Sequence, residues 1–484
     1  MSKSLLNSIS SKLKSFGEKF LMVEDPSNFL LRADIVKLLA SDNIIIYGGN
    51  LLSQRVAFEL NRSTESTFIF ILSNNEMHME DVSTQTGPYV FILSDFIKGY
   101  DIGIVKDKKV NILDYLYSNP LYTTLSKART KETIKNIEGE EAIDIEEVEK
   151  RAEEINLLLT DDINWLQMIE LISGLMLDTV HTSYYSIVKE LIAKINVQFQ
   201  EHINSKYGTL QSSSFINHPR IVSHVLPHIS SQYKGEKIAI LVVDGMAYWQ
   251  YMLFRSKLHD ETIVKETTIH SWIPSITQLS RQALFKGTTP SKTYRQGPVN
   301  EERLWKNFWE AHSANTSEIL YLHEPDNLQV DNRITKLAIV FKELDEKMHS
   351  STDYRDLLSL TRNWLKRSNI ISVIHNLLNS GFTIFMTTDH GNIESQGWRR
   401  LTQQESLNTH RSGSRSQRHL EYNDISSVSM FMEENSELSG SITVDEKTLY
   451  FKDDLSFSSE KSLVSHGGSH FLEVLIPFVK ITKK

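Results

Sequence analysis

The sequence predicts an α/β protein: a mixed, mostly parallel sheet covered by helices on both faces, preceded by a smaller α/β domain and a helical connector. Three observations support this. Apolar runs of strand length recur in the C-terminal half: EKIAILVV ending at Val243, SEILYLH ending at His323, FTIFMTT ending at Thr388, SVSMFM near Met430 and FLEVLIPFV ending at Val479. Several are apolar on both faces, as strands between two helical layers are. Shorter runs at Ile44–Tyr47, Thr67–Leu72 and Tyr89–Leu93 alternate with helical patterns from Phe20 to about Pro120, which marks a small α/β unit. Between the two, Asn136–Leu159 is strongly acidic without turn residues after Gly139, and its apolar pattern continues to about Phe199, as a helical connector requires. The expected divisions are 1–130, 131–215 and 216–484.

At the N-terminus, Leu5, Ile9, Leu13, Phe16 and Phe20 recur at helical spacing among Lys3, Lys12, Lys14 and Lys19. An amphipathic helix is expected, packed on its own domain, with a docking face or membrane-surface helix as the alternative. The segment lacks a continuous apolar stretch and a small-residue cleavage site, and no apolar run approaches the roughly 20 residues of a membrane helix. Cytoplasmic placement and no membrane partner are expected. Gly48 and Gly49 after the first short run read as a strand-to-helix turn, because the full phosphate-binding fingerprint is missing.

Composition narrows the chemistry. Lys+Arg of 52 against Asp+Glu of 61 gives a net charge of -9, which excludes a globally cationic nucleic-acid coat but leaves room for a local basic groove. Cys is 0, so disulfides, thiol nucleophiles and thiolate metal sites are all excluded. A metal would have to be held by carboxylates, imidazoles or hydroxyls.

Four motifs carry candidate chemistry. In VVDGMAYWQ, Asp244 and Gly245 follow an apolar strand, where α/β sheets bind ligands, although Asp-Gly also makes a simple turn. In HSWIPSITQLSRQALFKGTTP, Ser275 or Thr277 can cap a helix that Gly287 ends, and a hydroxyl at that helix start faces free N–H groups suited to an oxyanion. Arg281 lies one turn on, as a surface residue or facing the same site. In TIFMTTDHGN, Asp389 and His390 terminate a strand and can reach one cation, or close a polar turn. In SLVSHGGSHFLEVLIPF, His466 precedes two glycines that let the backbone come close to a site, or is simply a solvated histidine.

Taken together, VVDGM, IPSITQLSRQALFKG, TTDHG and SHGG with the EVLIPFV run resemble the PglZ-domain family of the alkaline phosphatase superfamily, over roughly Lys234–Ile481. That family is associated with bacterial phage-exclusion (BREX-type) operons. The MVEDPSNFLLRADIVKLLASDNIIIYGG stretch resembles the start of its stand-alone members. The resemblance implies that Asp244, Asp389 and His390 bind one divalent cation, with Thr277 as the nucleophile on it and Ser275 as a fallback. It implies a second cation on His466 and an aspartate, and HEPDNLQVDN offers Asp326. Position 330 there is Val rather than an acid or His, and His323 or Glu324 are the substitutes. Zn²⁺ suits the mixed Asp/His set, with Mn²⁺ next.

The implied activity is metal-dependent hydrolysis of a phosphoric ester through a phospho-threonine. A phosphodiesterase acting on a nucleotide or nucleic acid is favoured over a monoesterase. Residues Trp398–His419 point the same way: Arg399, Arg400, Arg411, Arg415 and Arg418 with His410 and His419 face only Glu405, a cationic segment suited to a phosphodiester or a solvated flexible loop. Partner proteins of a phage-defence complex are expected. A catalytically silent scaffold within such a complex is the rival reading; a sulfatase is disfavoured by the motif and by the lack of Cys.

Overall fold

A computed structural model of the chain describes residues 5–63, 65–72, 79, 88–140, 145–160, 162–258, 262–325, 328, 330–410 and 415–484. It divides into two compact units, Met1–Ala142 and Ile143–Lys484.

The first unit is built on a parallel sheet in the order Ile44–Tyr47, Thr67–Leu72, Phe20–Glu24, Tyr89–Val90. The N-terminal helix, Leu5–Lys14, buries Leu5, Ile9 and Leu13 in this unit's own core, and the Leu5 N–H donates to Asp114 Oδ1 at 2.7 Å. It is a packing helix, and it stops short of Phe16. Phe20 opens a strand instead, because Leu21, Met22 and Val23 are all buried between neighbours on both sides. Asn50 caps the next helix, Leu51–Leu60, by accepting the Ser53 N–H at 3.0 Å, so Gly48 and Gly49 form a strand-to-helix turn.

The second unit contains the expected mixed sheet. Its order is Thr262–His270, Leu475–Lys483, Thr383–Thr387, Ile238–Val243, Lys336–Phe341, Ile319–His323. The last four strands are mutually parallel, and Leu475–Lys483 runs antiparallel to both of its neighbours. Strand side chains alternate between faces, so Ile238, Ile240 and Val242 enter one core while Ala239, Leu241 and Val243 enter the other. Val222–Gln232, Thr277–Lys286 and Pro298–Ala311 cover the first face. Trp165–Thr179, Tyr185–His202, Tyr248–Arg255, Tyr354–Arg367 and Ile370–Asn379 cover the second.

Beyond Thr387 the chain leaves the sheet and builds a small lobe, whose antiparallel strands run in the order Thr409–His410, His419–Tyr422, Thr448–Phe451, Ile442–Asp445. The apolar run near Met430, expected as a strand, is the helix Ile425–Glu434. Asp424 caps it by accepting the Ser427 N–H at 2.8 Å, and only Val428 and Phe431 are buried, a helical rather than alternating spacing. Among the described residues, no helix is long and apolar enough to cross a membrane.

One buried ion pair joins this lobe to the sheet. Arg418 Nε and Nη2 donate to Glu473 Oε1 and Oε2 at 3.0 and 3.1 Å, and both side chains are 0% exposed. The same guanidinium donates to the Leu455 and Asp453 carbonyls, while Glu473 accepts the Gly468 and His470 N–H groups at 3.1 and 3.2 Å. Glu473→Ala would strand a buried guanidinium, at a cost of about 3–5 kcal/mol. Arg418→Met with Glu473→Leu is expected to recover much of that loss. Urea unfolding of the three proteins checks this: a double variant no more stable than Glu473→Ala contradicts it.

Candidate active site

The topology gathers the chemistry at one edge. Strands Ile238–Val243, Lys336–Phe341 and Thr383–Thr387 are parallel, so Asp244, the helix Glu343–His349 and the Thr388–His390 turn all emerge at the carboxyl end of the sheet. Strand Leu475–Lys483 is antiparallel, so the segment leading into it, with His466, comes in at that same end.

Thr277 is the first residue of the helix Thr277–Lys286. The N-cap is Ile276, with no side-chain cap, so the Thr277 hydroxyl is not spent on capping. Its Oγ1 lies 3.1 Å from His390 Nε2. Two ligands of one tetrahedral zinc would stand about 3.3 Å apart, given metal–nitrogen distances of about 2.0–2.1 Å. Asp244 Oδ1 and Asp389 Oδ2 lie 3.9 and 3.8 Å from the same nitrogen. Thus Asp244, Thr277, Asp389 and His390 are brought together.

Ser275 is used differently. Its Oγ accepts the Gly467 N–H at 2.9 Å and its carbonyl accepts from His466 Nδ1 at 2.8 Å. His390 Nδ1 likewise donates to the Gly391 carbonyl at 2.8 Å. Each imidazole therefore spends Nδ1–H on the backbone and presents the Nε2 lone pair. The two rings stack with centroids 3.8 Å apart. Burial, with His390 and His349 alongside, pushes His466 well below the ordinary histidine range, which keeps it neutral and able to ligate.

Sequence reasoning missed two residues. Asp345 and His349, four apart on the helix Glu343–His349, have their ligating atoms 3.4 Å apart and form one potential ligand group with His466, while Asp345 also groups with Asp244 and His390. The signal was present: ELDEKMH places an acid and a histidine one turn apart just after the apolar run LAIVF. Asp326 lies outside the described residues, and neither His323 nor Glu324 joins a ligand group among the described residues.

Arg281 is brought close but does not line the pocket. It is 4% exposed, and its Nη1 and Nη2 donate to Asp244 Oδ2 at 2.8 Å and Glu301 Oε2 at 2.6 Å. Tyr321 OH also donates to Glu301 Oε2, at 2.6 Å. Of the two Asp244 oxygens, one is thus committed to Arg281. Burial, with the Asp389 and Asp345 carboxylates next to it, pushes the Asp244 carboxyl well above its usual range despite Arg281.

Donor chemistry tests whether cations fit. Asp244 Oδ1, Asp345 Oδ1, Asp389 Oδ2 and His349 Nε2 are buried and make no hydrogen bond. Buried polar atoms are nearly always satisfied, and four orphans of metal-ligating type side by side match a divalent-cation site. A cavity of about 690 Å³ opens over them, lined by Thr277, Tyr294, Arg295 and Arg415 among others.

The cationic segment divides. Arg399 is bound to Glu405 at 2.7 Å, Arg400 lies 3.7 Å from Glu460, and Arg418 is buried on Glu473. His419 is buried too, whereas Arg415 and His410 line the cavity. Arg411 lies outside the described residues.

Among solved structures, murine ectonucleotide pyrophosphatase/phosphodiesterase 5 is similar at 11% identity over 51% of this chain and 88% of that one, with a TM-score of 0.34. The human protein of the same name gives 10%, 51%, 87% and 0.36. Phosphonoacetate hydrolase from Sinorhizobium meliloti 1021, in complex with phosphonoformate, gives 12%, 51%, 89% and 0.31. No curated protein matches the chain. The family described as the BREX system PglZ alkaline phosphatase-like domain matches residues 223–481, from the helical turn before the first sheet strand to the last one, and so spans every residue of the site. With more than half of its length matched in this way, the chain belongs to the PglZ family of alkaline phosphatase-like proteins.

Proposed function

We propose that the chain is a metal-dependent phosphodiesterase that hydrolyses a nucleotide or nucleic-acid phosphodiester and serves in a bacterial phage-defence complex. The observation that carries this reading is the set of four orphaned donor atoms beside an uncapped threonine hydroxyl at a helix start. Asp244, Asp389 and His390 with Thr277 would hold one divalent cation; Asp345, His349 and His466 would hold the other. Zn²⁺ suits these donors best and Mn²⁺ next. Bound there, the pair supplies Lewis acidity and lowers the pKa of a neighbouring hydroxyl.

The chain's own residues do the rest. Thr277 Oγ1 attacks phosphorus in line, the Oγ1–P bond forms as the ester alcohol departs, and water then cleaves that bond and restores the hydroxyl. The first turn of Thr277–Lys286 points free N–H groups and the positive dipole end at the phosphoryl oxygens. Glu301 holds Arg281, and Arg281 holds Asp244 Oδ2, so Oδ1 is presented in a fixed direction. Arg281 acts here as a positioning residue. Its commitment to two carboxylates takes Arg281 itself out of contact with the attacked phosphorus.

Two measurements test the reading. Thr277→Ala should keep its fold and metal but lose roughly 10³-fold or more in hydrolysis of bis-(p-nitrophenyl) phosphate, while Thr277→Ser keeps part. Turnover of the alanine variant at the parent rate would reduce Thr277 to a helix residue. Separately, calorimetric titration of metal-free protein with Zn²⁺ should show two sites, and His349→Ala should abolish one of them. An unchanged isotherm for His349→Ala removes Asp345 and His349 from the ligand set.

A further inference from the structure

The charged groups lining the 690 Å³ cavity fall into two sets. Asp244, Asp345, His349 and His466 are buried or nearly so and belong to the ligand groups at its floor. Lys292, Arg295, His410, Arg415 and Glu421 are more exposed and form its rim. On that rim Lys292 is answered by Glu446 at 2.9 Å. Against the one remaining lining carboxylate, Glu421, stand Arg295, Arg415 and the His410 imidazole. Among the described residues, neither Arg295 nor Arg415 has a carboxylate within ion-pair distance, although Arg415 lies within electrostatic range of Asp345, whereas Arg399, Arg400 and Arg418, from the same segment as Arg415, each have one.

Two guanidiniums without an ion-pair partner among the described residues, from segments distant in sequence, thus converge on one cavity. Arginine is the side chain best matched to phosphate, which it binds through two parallel N–H donors. The cavity is also larger than one phosphodiester group needs, being within the roughly 300–1,000 Å³ range of sites that enclose whole ligands.

We propose that Arg295 and Arg415 form a second anion subsite at the cavity rim, which takes a phosphate one linkage away from the phosphate under attack. This rests on the phosphodiesterase reading and narrows it: the substrate is a polyanion. Two sources present that chemistry, an oligonucleotide strand across a sugar and a dinucleoside polyphosphate across an anhydride.

The full chain and its Arg295→Ala/Arg415→Ala variant are compared on bis-(p-nitrophenyl) phosphate, octathymidylate and diadenosine tetraphosphate. The double variant should lose at least about tenfold more kcat/KM on one of the polyanions than on the simple diester, chiefly through KM, and the polyanion affected identifies the linkage. Equal losses on all three substrates, or none on any, overturn the subsite. Octathymidylate binding to Thr277→Ala protein, followed by fluorescence anisotropy against salt, gives a readout without turnover. Adding the two arginine substitutions should flatten the log–log slope by about 0.7, the value for one phosphate contact on a single strand. If the parent hydrolyses no diester, the phosphodiesterase reading fails, and the salt slope alone decides the subsite: a flattened slope upholds it and an unchanged slope overturns it.

Discussion

Three carboxylates, Asp244, Asp345 and Asp389, meet at one edge of the sheet with a single buried guanidinium among them, and much of the second unit answers to that concentration of negative charge. Buried anions in such proximity repel one another and lose hydration. Arg281 relieves only part of this, since it also serves Glu301. Backbone donors take a further share: Asp389 Oδ1 accepts the Gly245 and His390 N–H groups at 3.2 and 3.1 Å. What is left over falls on the oxygens without a hydrogen-bond partner, Asp244 Oδ1, Asp345 Oδ1 and Asp389 Oδ2. Uncharged residues hold the turns beside this arrangement. Asn392 Nδ2 donates to the Gly245 carbonyl at 2.9 Å and to Gln250 Oε1 at 2.8 Å, tying the two strand-end turns together. Gly391 has no room for a side chain, because a Cβ there would collide with the Leu472 carbonyl oxygen.

How much of this was legible in the sequence depended on whether the signal was local. Asp244, Asp389 and His390 could be read because an apolar strand followed by an acid and a glycine is a short pattern, and the topology then had only to bring the ends together. Asp345 and His349 could not be read in the same way. They sit on a helix whose other residues, Glu343, Glu346 and Lys347, look like an ordinary solvated face, and their strand, Lys336–Phe341, was not recognised. The run near Met430 failed for the opposite reason: Ser, Val and Met alternate as in a strand, but Asp424 starts a helix and tertiary packing keeps it. Phe20 fits the N-terminal helical spacing, and the strand it opens, FLMVE, is too short at five residues to establish a period of its own.

Arg418 shows why charge runs are poor guides to binding surfaces. It lies in a Ser-, Arg- and His-rich segment that reads as solvent-exposed, and its partner Glu473 is embedded in an apolar run. Neither neighbourhood announces a buried pair. The pair also places the site: it fixes the Gly468 and His470 turn, and that turn exchanges hydrogen bonds with the Ser275 segment on which the Thr277 helix begins. Of the arginines expected to meet substrate, Arg418 is structural.

The position of strand Leu475–Lys483 between Thr262–His270 and Thr383–Thr387 has a kinetic consequence. It pairs residues as remote along the chain as Leu475 and His270, so loop-closure entropy must be overcome before the sheet is rewarded, and folding of this unit should be slow for its size. Until it docks, Thr383–Thr387, the strand that delivers Asp389 and His390, is an open edge available to other chains. Among the described residues of the site, the donors close in sequence are the pairs Asp345/His349 and Asp389/His390, too few to capture a cation firmly. Tight cation uptake in this protein should therefore follow sheet closure rather than template it.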